Sequence, residues 1–137
     1  MEKHFELSDT EFTLEFENCT LNPELFTHEA HLRLAWIYIQ KYGIENAIEV
    51  IRKQIQEYAI SLGASEKYHE TITVASIKAV SFFIKKSESK TFESFINENK
   101  QLKTNFKQLL ATHYTTDIFN SESAKKDFLE PELDPFE

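Results

Sequence analysis

The sequence predicts an all-α fold: a compact bundle of three long antiparallel helices plus shorter C-terminal helices, with an extended or hairpin N-terminal arm. Three observations carry this. The 137 residues suit a single domain, with an arm at 1–21, a helical body at 22–130 and an acidic tail at 131–137. The chain is 41% apolar with 12 Phe, which is enough to fill a core and excludes global disorder. It holds 2 Gly and 3 Pro, too few turn residues for a sandwich or barrel of many short strands. The prolines stand at Pro23, Pro131 and Pro135, so residues 24–130 contain no helix breaker of that kind.

Each element has its own signal. In the first twenty residues Phe5 and Leu7, then Phe12, Leu14 and Phe16, alternate with polar residues, a period of two that reads as extended chain. Ser8-Asp9-Thr10-Glu11 then reads as the turn between two runs. Asn22-Pro23 suits a helix start, and Thr27 offers a second N-cap at which the helix can restart. The helix runs to Tyr42 and stops at Gly43. Ile44, Ala47, Ile48, Ile51, Ile55, Tyr58, Ala59 and Leu62 follow the i, i+3, i+4, i+7 template of a second helix, ended by Gly63. Ser65 is the expected cap of a third helix reaching Lys86, with Ile72, Ala75, Ala79 and Phe82 along one stripe. Beyond it, Phe92, Phe95 and Ile96 mark one short helix, and Phe106, Leu109 and Leu110 another. Ser121 caps a last helix ended by Pro131.

Charge narrows the function classes. The net charge of −8 argues against a polyanion binder, because phosphate contacts need clustered Lys and Arg. Residues 1–29 carry −7 and residues 121–137 carry −4, which leaves the middle at +3. The lone Cys19 excludes an internal disulfide and reads as a small buried hydrophobe. The start MEKHFELSD has no apolar core of a secretory signal, and no apolar run approaches the roughly 20 residues of a membrane span. The expectation is a cytoplasmic protein with no nucleic-acid or membrane partner. Gly-rich phosphate loops, Cys pairs and a G-x-S-x-G elbow are absent, which argues against the common nucleotide and acyl chemistries.

Five histidines supply the chemistry. His28 and His31 form H-E-A-H at the start of the first long helix, and His69 lies at the start of the third. Residues three apart share a helix face. Short connections make neighbouring helices antiparallel, which brings the first and third helix starts to one end. His28, His31 and His69 are therefore the expected ligands of a divalent transition metal such as Zn or Fe, with coordination positions left open. Glu70 and Glu29 adjoin histidines and are candidate general bases; equally, each is a carboxylate favourably placed in a first helical turn. Arg33 interrupts the apolar run Leu32–Trp36 and must pair with a carboxylate or phosphate, either a bound anion or Glu29 at i−4. Tyr68 offers a phenol to a substrate oxygen or packs as a core residue. His4 and His113 read as incidental surface residues.

The segments F-T-H-E-A-H-L-R-L-A-W at 26–36, K-Y-H-E-T-I-T at 67–73 and S-x-x-A-K-x-D-F-x-E-P at 121–131 resemble a group of small all-α bacterial proteins. The resemblance implies a stand-alone domain and carries no activity. Members of the group often have an aromatic soon after T-I-T and an arginine near position 125, where this chain has Val74-Ala75-Ser76 and Lys125. Three functional readings remain open. One is a small metal-dependent enzyme acting on a small anionic substrate. The others are a metal-free anion-binding module, built on helix N-termini and Arg33, and a structural interaction protein.

Overall fold

The computed structural model describes residues 2–115, 117–131 and 133. All regular structure among them is helical, and the chain divides into two compact units, Met1–Tyr68 and His69–Glu137.

The first unit corrects the expectation of an extended arm. A 3-10 turn at Lys3–Glu6 leads into helix α1, Asp9–Glu17. The Ser8-Asp9-Thr10-Glu11 stretch is a capping box rather than a hairpin turn. The Ser8 hydroxyl accepts from the Glu11 N–H at 3.1 Å, and the Glu11 carboxylate accepts from the Ser8 N–H at 2.9 Å. Once a helix starts there, Phe12 and Phe16 fall four residues apart on one face and are wholly buried, while Leu14 turns outward at 53% exposure. The period of two was an accident of three apolar residues that a helix sorts onto different sides. Cys19 takes a left-handed φ of 59° where the chain leaves α1, and it is half-buried rather than a core residue.

Asn22 caps only a short 3-10 turn at Pro23–Leu25, and Thr27 then starts α2, His28–Tyr42, by accepting the Ala30 N–H at 3.2 Å. Ala30, Leu32, Leu34, Ala35, Trp36 and Tyr38 on α2 are buried. Gly43, at φ 83°, is the single residue between α2 and α3, Ile44–Ser61. The two helices pack against each other, and the Tyr38 hydroxyl donates to Gln54 at 2.7 Å. On α3 the centre of the predicted stripe is buried at Ala47, Ile51 and Tyr58. Ile44, Ile48, Ile55 and Ala59 are half-buried, and Leu62, beyond the helix end, is exposed. The Tyr58 hydroxyl donates to the Leu21 carbonyl at 2.8 Å, fixing the chain that leaves α1.

In the second unit α4 spans Glu70–Ile84, and its cap is not Ser65, which sits in a separate 3-10 turn at Ser65–Lys67. The His69 imidazole accepts the Ile72 N–H at 3.1 Å instead. Val74, Ala75, Ile77, Ala79 and Val80 make a broad buried face, so packing holds a helix whose β-branched residues have modest intrinsic propensity. Three short helices follow, α5 at Phe92–Glu98, α6 at Gln101–Thr104 and α7 at Phe106–Ala111. Phe92, Phe95, Ile96, Leu102, Phe106 and Leu110 are their buried contributions.

Ser121 caps α8, Glu122–Lys126, which ends before the predicted stop at Pro131 because the chain turns to dock on α4. There the buried Thr71 hydroxyl donates to the Asp127 carbonyl at 2.9 Å and accepts the Leu129 N–H at 3.0 Å. Most of the acidic tail at 131–137 lies outside the described residues.

Candidate functional site

The predicted ligands are divided between the units. His28 opens α2 as an exposed residue, and His31 lies one turn on, within the first unit. The His31 Nδ1–H donates to the Thr27 carbonyl at 2.8 Å, and its ring stacks on Phe26 with centroids 3.8 Å apart. Loss of hydration pushes the His31 pKa down to about 4, with the Thr27 bond opposing and His28 adding to the shift. His31 is therefore neutral at neutral pH, with its lone pair on Nε2. His69 belongs to the second unit, and both of its nitrogens are engaged there. Nδ1 caps α4, and Nε2–H donates to the Ile118 carbonyl at 2.8 Å. Ligation through His69 requires giving up one of those bonds. Glu70 is buried at the first position of α4, and Tyr68 is half-buried at the end of the first unit.

The His31 shift sets an expected pH dependence. A histidine whose folded pKa lies below its unfolded value of about 6.5 stays unprotonated in the native state while the unfolded chain takes up a proton. Stability is thus full above about pH 6.5 and is lost as pH falls toward about 4. Urea midpoints measured across that window should fall for the parent chain and fall less steeply for His31→Gln.

The polar cluster that the structure assembles is a different one, and it centres on His4. The expectation that His4 is an incidental surface residue is corrected: it is 1% exposed. Its Nε2 lies 2.6 Å from Glu29 Oε2 and 3.8 Å from Glu2 Oε1. Glu29 is itself buried, and the Thr27 hydroxyl donates to Glu2 Oε1, so the start of α2 organises both carboxylates. Arg33 resolves the question its apolar surroundings raised. Its Nε and Nη2 donate to Asp9 Oδ1 at 3.2 and 2.9 Å, and Nη2 also donates to the Leu7 carbonyl at 2.8 Å. Nη1 donates to the His4 carbonyl at 2.7 Å and approaches His4 Nδ1 at 3.3 Å. The five N–H donors of the guanidinium are thereby all directed at residues 4–9, and its carboxylate partner is Asp9 rather than Glu29.

These contacts define the His4 tautomer. An arginine N–H beside Nδ1 makes that nitrogen the acceptor, so the proton sits on Nε2 and is donated to Glu29. Burial lowers the His4 pKa, the bond and charge of Glu29 oppose that, and the Arg33 charge adds to the lowering. With His4 neutral, Glu2, Glu29 and Asp9 against Arg33 leave a formal charge of −2. Ligand atoms of Glu2, His4 and Glu29 lie within 4.8 Å of one another. Two ligands each about 2.1 Å from one ion are about 3 to 4 Å apart, the same scale as these separations.

No single-sequence signal pairs His4 with Glu29, residues 25 positions apart. The usable clue was Arg33, whose need for partners required some segment to cover α2. Comparisons with protein-family models, curated proteins and solved structures find no significant match to this chain.

Proposed function

We propose that the chain is a metal-dependent protein that holds one divalent transition ion among Glu2, His4 and Glu29 and presents it to a small anionic substrate. The observation supporting this is the near-buried cluster of two carboxylates and one imidazole with an excess formal charge of −2. One nitrogen and two oxygen donors suit Zn, Fe(II) or Mn(II). Three protein ligands leave coordination positions at which an anion is polarised. Glu2, with a side chain 27% exposed, marks the side open to solvent. Ligation through Nε2 places the imidazole proton on Nδ1, where it faces the Arg33 Nη1–H, so the 3.3 Å contact is lost while Arg33 Nη1 still donates to the His4 carbonyl at 2.7 Å.

A second reading is favoured by the hydrogen bonds themselves. The His4 Nε2–H and all five Arg33 donors already have acceptors, so the cluster also works as a clamp that ties residues 2–9 to α2. Elemental analysis and thermal melting of untagged protein, with and without chelator, separate the two. Metal binding predicts a stoichiometric ion. It also predicts stabilisation by about 2.7 kcal/mol at a free ion concentration one hundred times Kd. Glu29→Gln should weaken binding at least about tenfold, in the range seen when the surroundings of a metal site are altered. His28→Gln combined with His31→Gln should leave it intact. Identical melting with and without ion, and no bound metal, would overturn the metal reading and leave the clamp.

A further inference from the structure

We propose that the second unit carries a separate binding site for a small organic anion with a flat apolar body, in the cavity between α7 and the 3-10 turn at Ile118–Asn120. The cavity holds about 310 Å³, at the small end of ligand pockets. Its apolar surface comes from Leu110, Ala111, Ile118 and Phe119. Lys107 supplies a cation at its edge, with Nζ 5.1 Å from the centre of the Phe119 ring. Among the described residues no carboxylate lies within ion-pair distance of Lys107, so its charge rests against an aromatic face and is available to a ligand.

The competing charge in the lining is Asp117, and both of its oxygens are used to close the turn. Oδ1 accepts the Phe119 N–H at 3.2 Å, and Oδ2 accepts the Asn120 side-chain amide at 2.7 Å. The walls are held from behind. His69 donates to the Ile118 carbonyl at 2.8 Å, and the Tyr114 hydroxyl donates to the Leu129 carbonyl at 2.7 Å. The role of His69 on this reading is to position one wall of the cavity. An aromatic monocarboxylate matches the arrangement, with its ring on the apolar wall and its carboxylate on the Lys107 ammonium.

The test is an amide NMR titration of the full chain with benzoate, benzamide and benzylamine, which have similar shapes and different charge. Benzoate should saturably shift the amides of Leu110, Ala111 and Phe119. Benzamide should bind about threefold to fivefold more weakly, the range of an exposed ion pair. Benzylamine, a cation at neutral pH, should bind weakest. Lys107→Met should make benzoate and benzamide equal, Lys107→Arg should restore the preference, and Ala111→Leu should weaken both by filling the cavity. Ala111 and Lys107 are exposed, so these variants should fold. Stronger binding of benzylamine, shifts that do not saturate or do not map to these residues, or an undiminished preference for benzoate in Lys107→Met would overturn the proposal.

Discussion

Arg33→Ala is expected to cost about 3 kcal/mol of unfolding free energy, toward the lower end of what breaking a buried ion pair costs. The Asp9 partner is 54% exposed, so its charge is screened and Asp9→Asn should cost less than about 1 kcal/mol. Most of the loss comes from elsewhere. Without the guanidinium the buried His4 carbonyl and Nδ1 lose their donor, and Phe12 loses a cation seated 4.7 Å from its ring. Urea unfolding of the two variants reads the difference directly. Equal effects from Arg33→Ala and Asp9→Asn would show that the surface ion pair, not the buried bonds, carries the energy.

Phe16→Ala should be at least as damaging, at about 3–5 kcal/mol for removal of a fully buried phenyl ring. Phe16 lies 4.9 Å from Phe26 and 5.2 Å from Tyr58, centre to centre, and so joins α1 to the chain before α2 and to α3. Collapse around the gap is opposed by Tyr58, whose hydroxyl is held by the Leu21 carbonyl. Leu14→Ala, on the exposed side of the same helix, should change stability by no more than about 0.5 kcal/mol. Comparable losses from the two would mean that α1 does not bury the Phe12–Phe16 face in solution.

The parts of the fold legible in the sequence are those specified by local rules. The period of α3, the Thr27 and Ser121 caps and the Gly43 turn depend on residues a few positions apart, and a single sequence displays them. For α1 the capping signal lies in Ser8 and Glu11, but the alternation of Phe12, Leu14 and Phe16 points to a strand instead. His69 was legible as a residue at a helix start and not as the cap itself, since Ser is the commoner choice there.

The candidate site was least legible. Glu29 stands out because it adjoins a histidine, and Arg33 because it interrupts an apolar run. Their partners, His4 and Asp9, lie 25 and 24 residues away and follow no spacing rule. Placing them takes the three-dimensional path of residues 2–9, which the expectation of a hairpin arm sent elsewhere.

The separation between Arg33 and its partners also orders events in time. Joining α2 to α3 through the single residue Gly43 closes almost no loop, so that pair can assemble early. Securing residues 4–9 on Arg33 brings together groups 24 to 29 positions apart, and the entropy of closing that loop must be met before any of the five bonds forms. On this ordering the clamp is expected to form after the α2–α3 pair. Arg33→Ala is then expected to raise the unfolding rate more than it lowers the folding rate, which stopped-flow refolding and unfolding in urea would read.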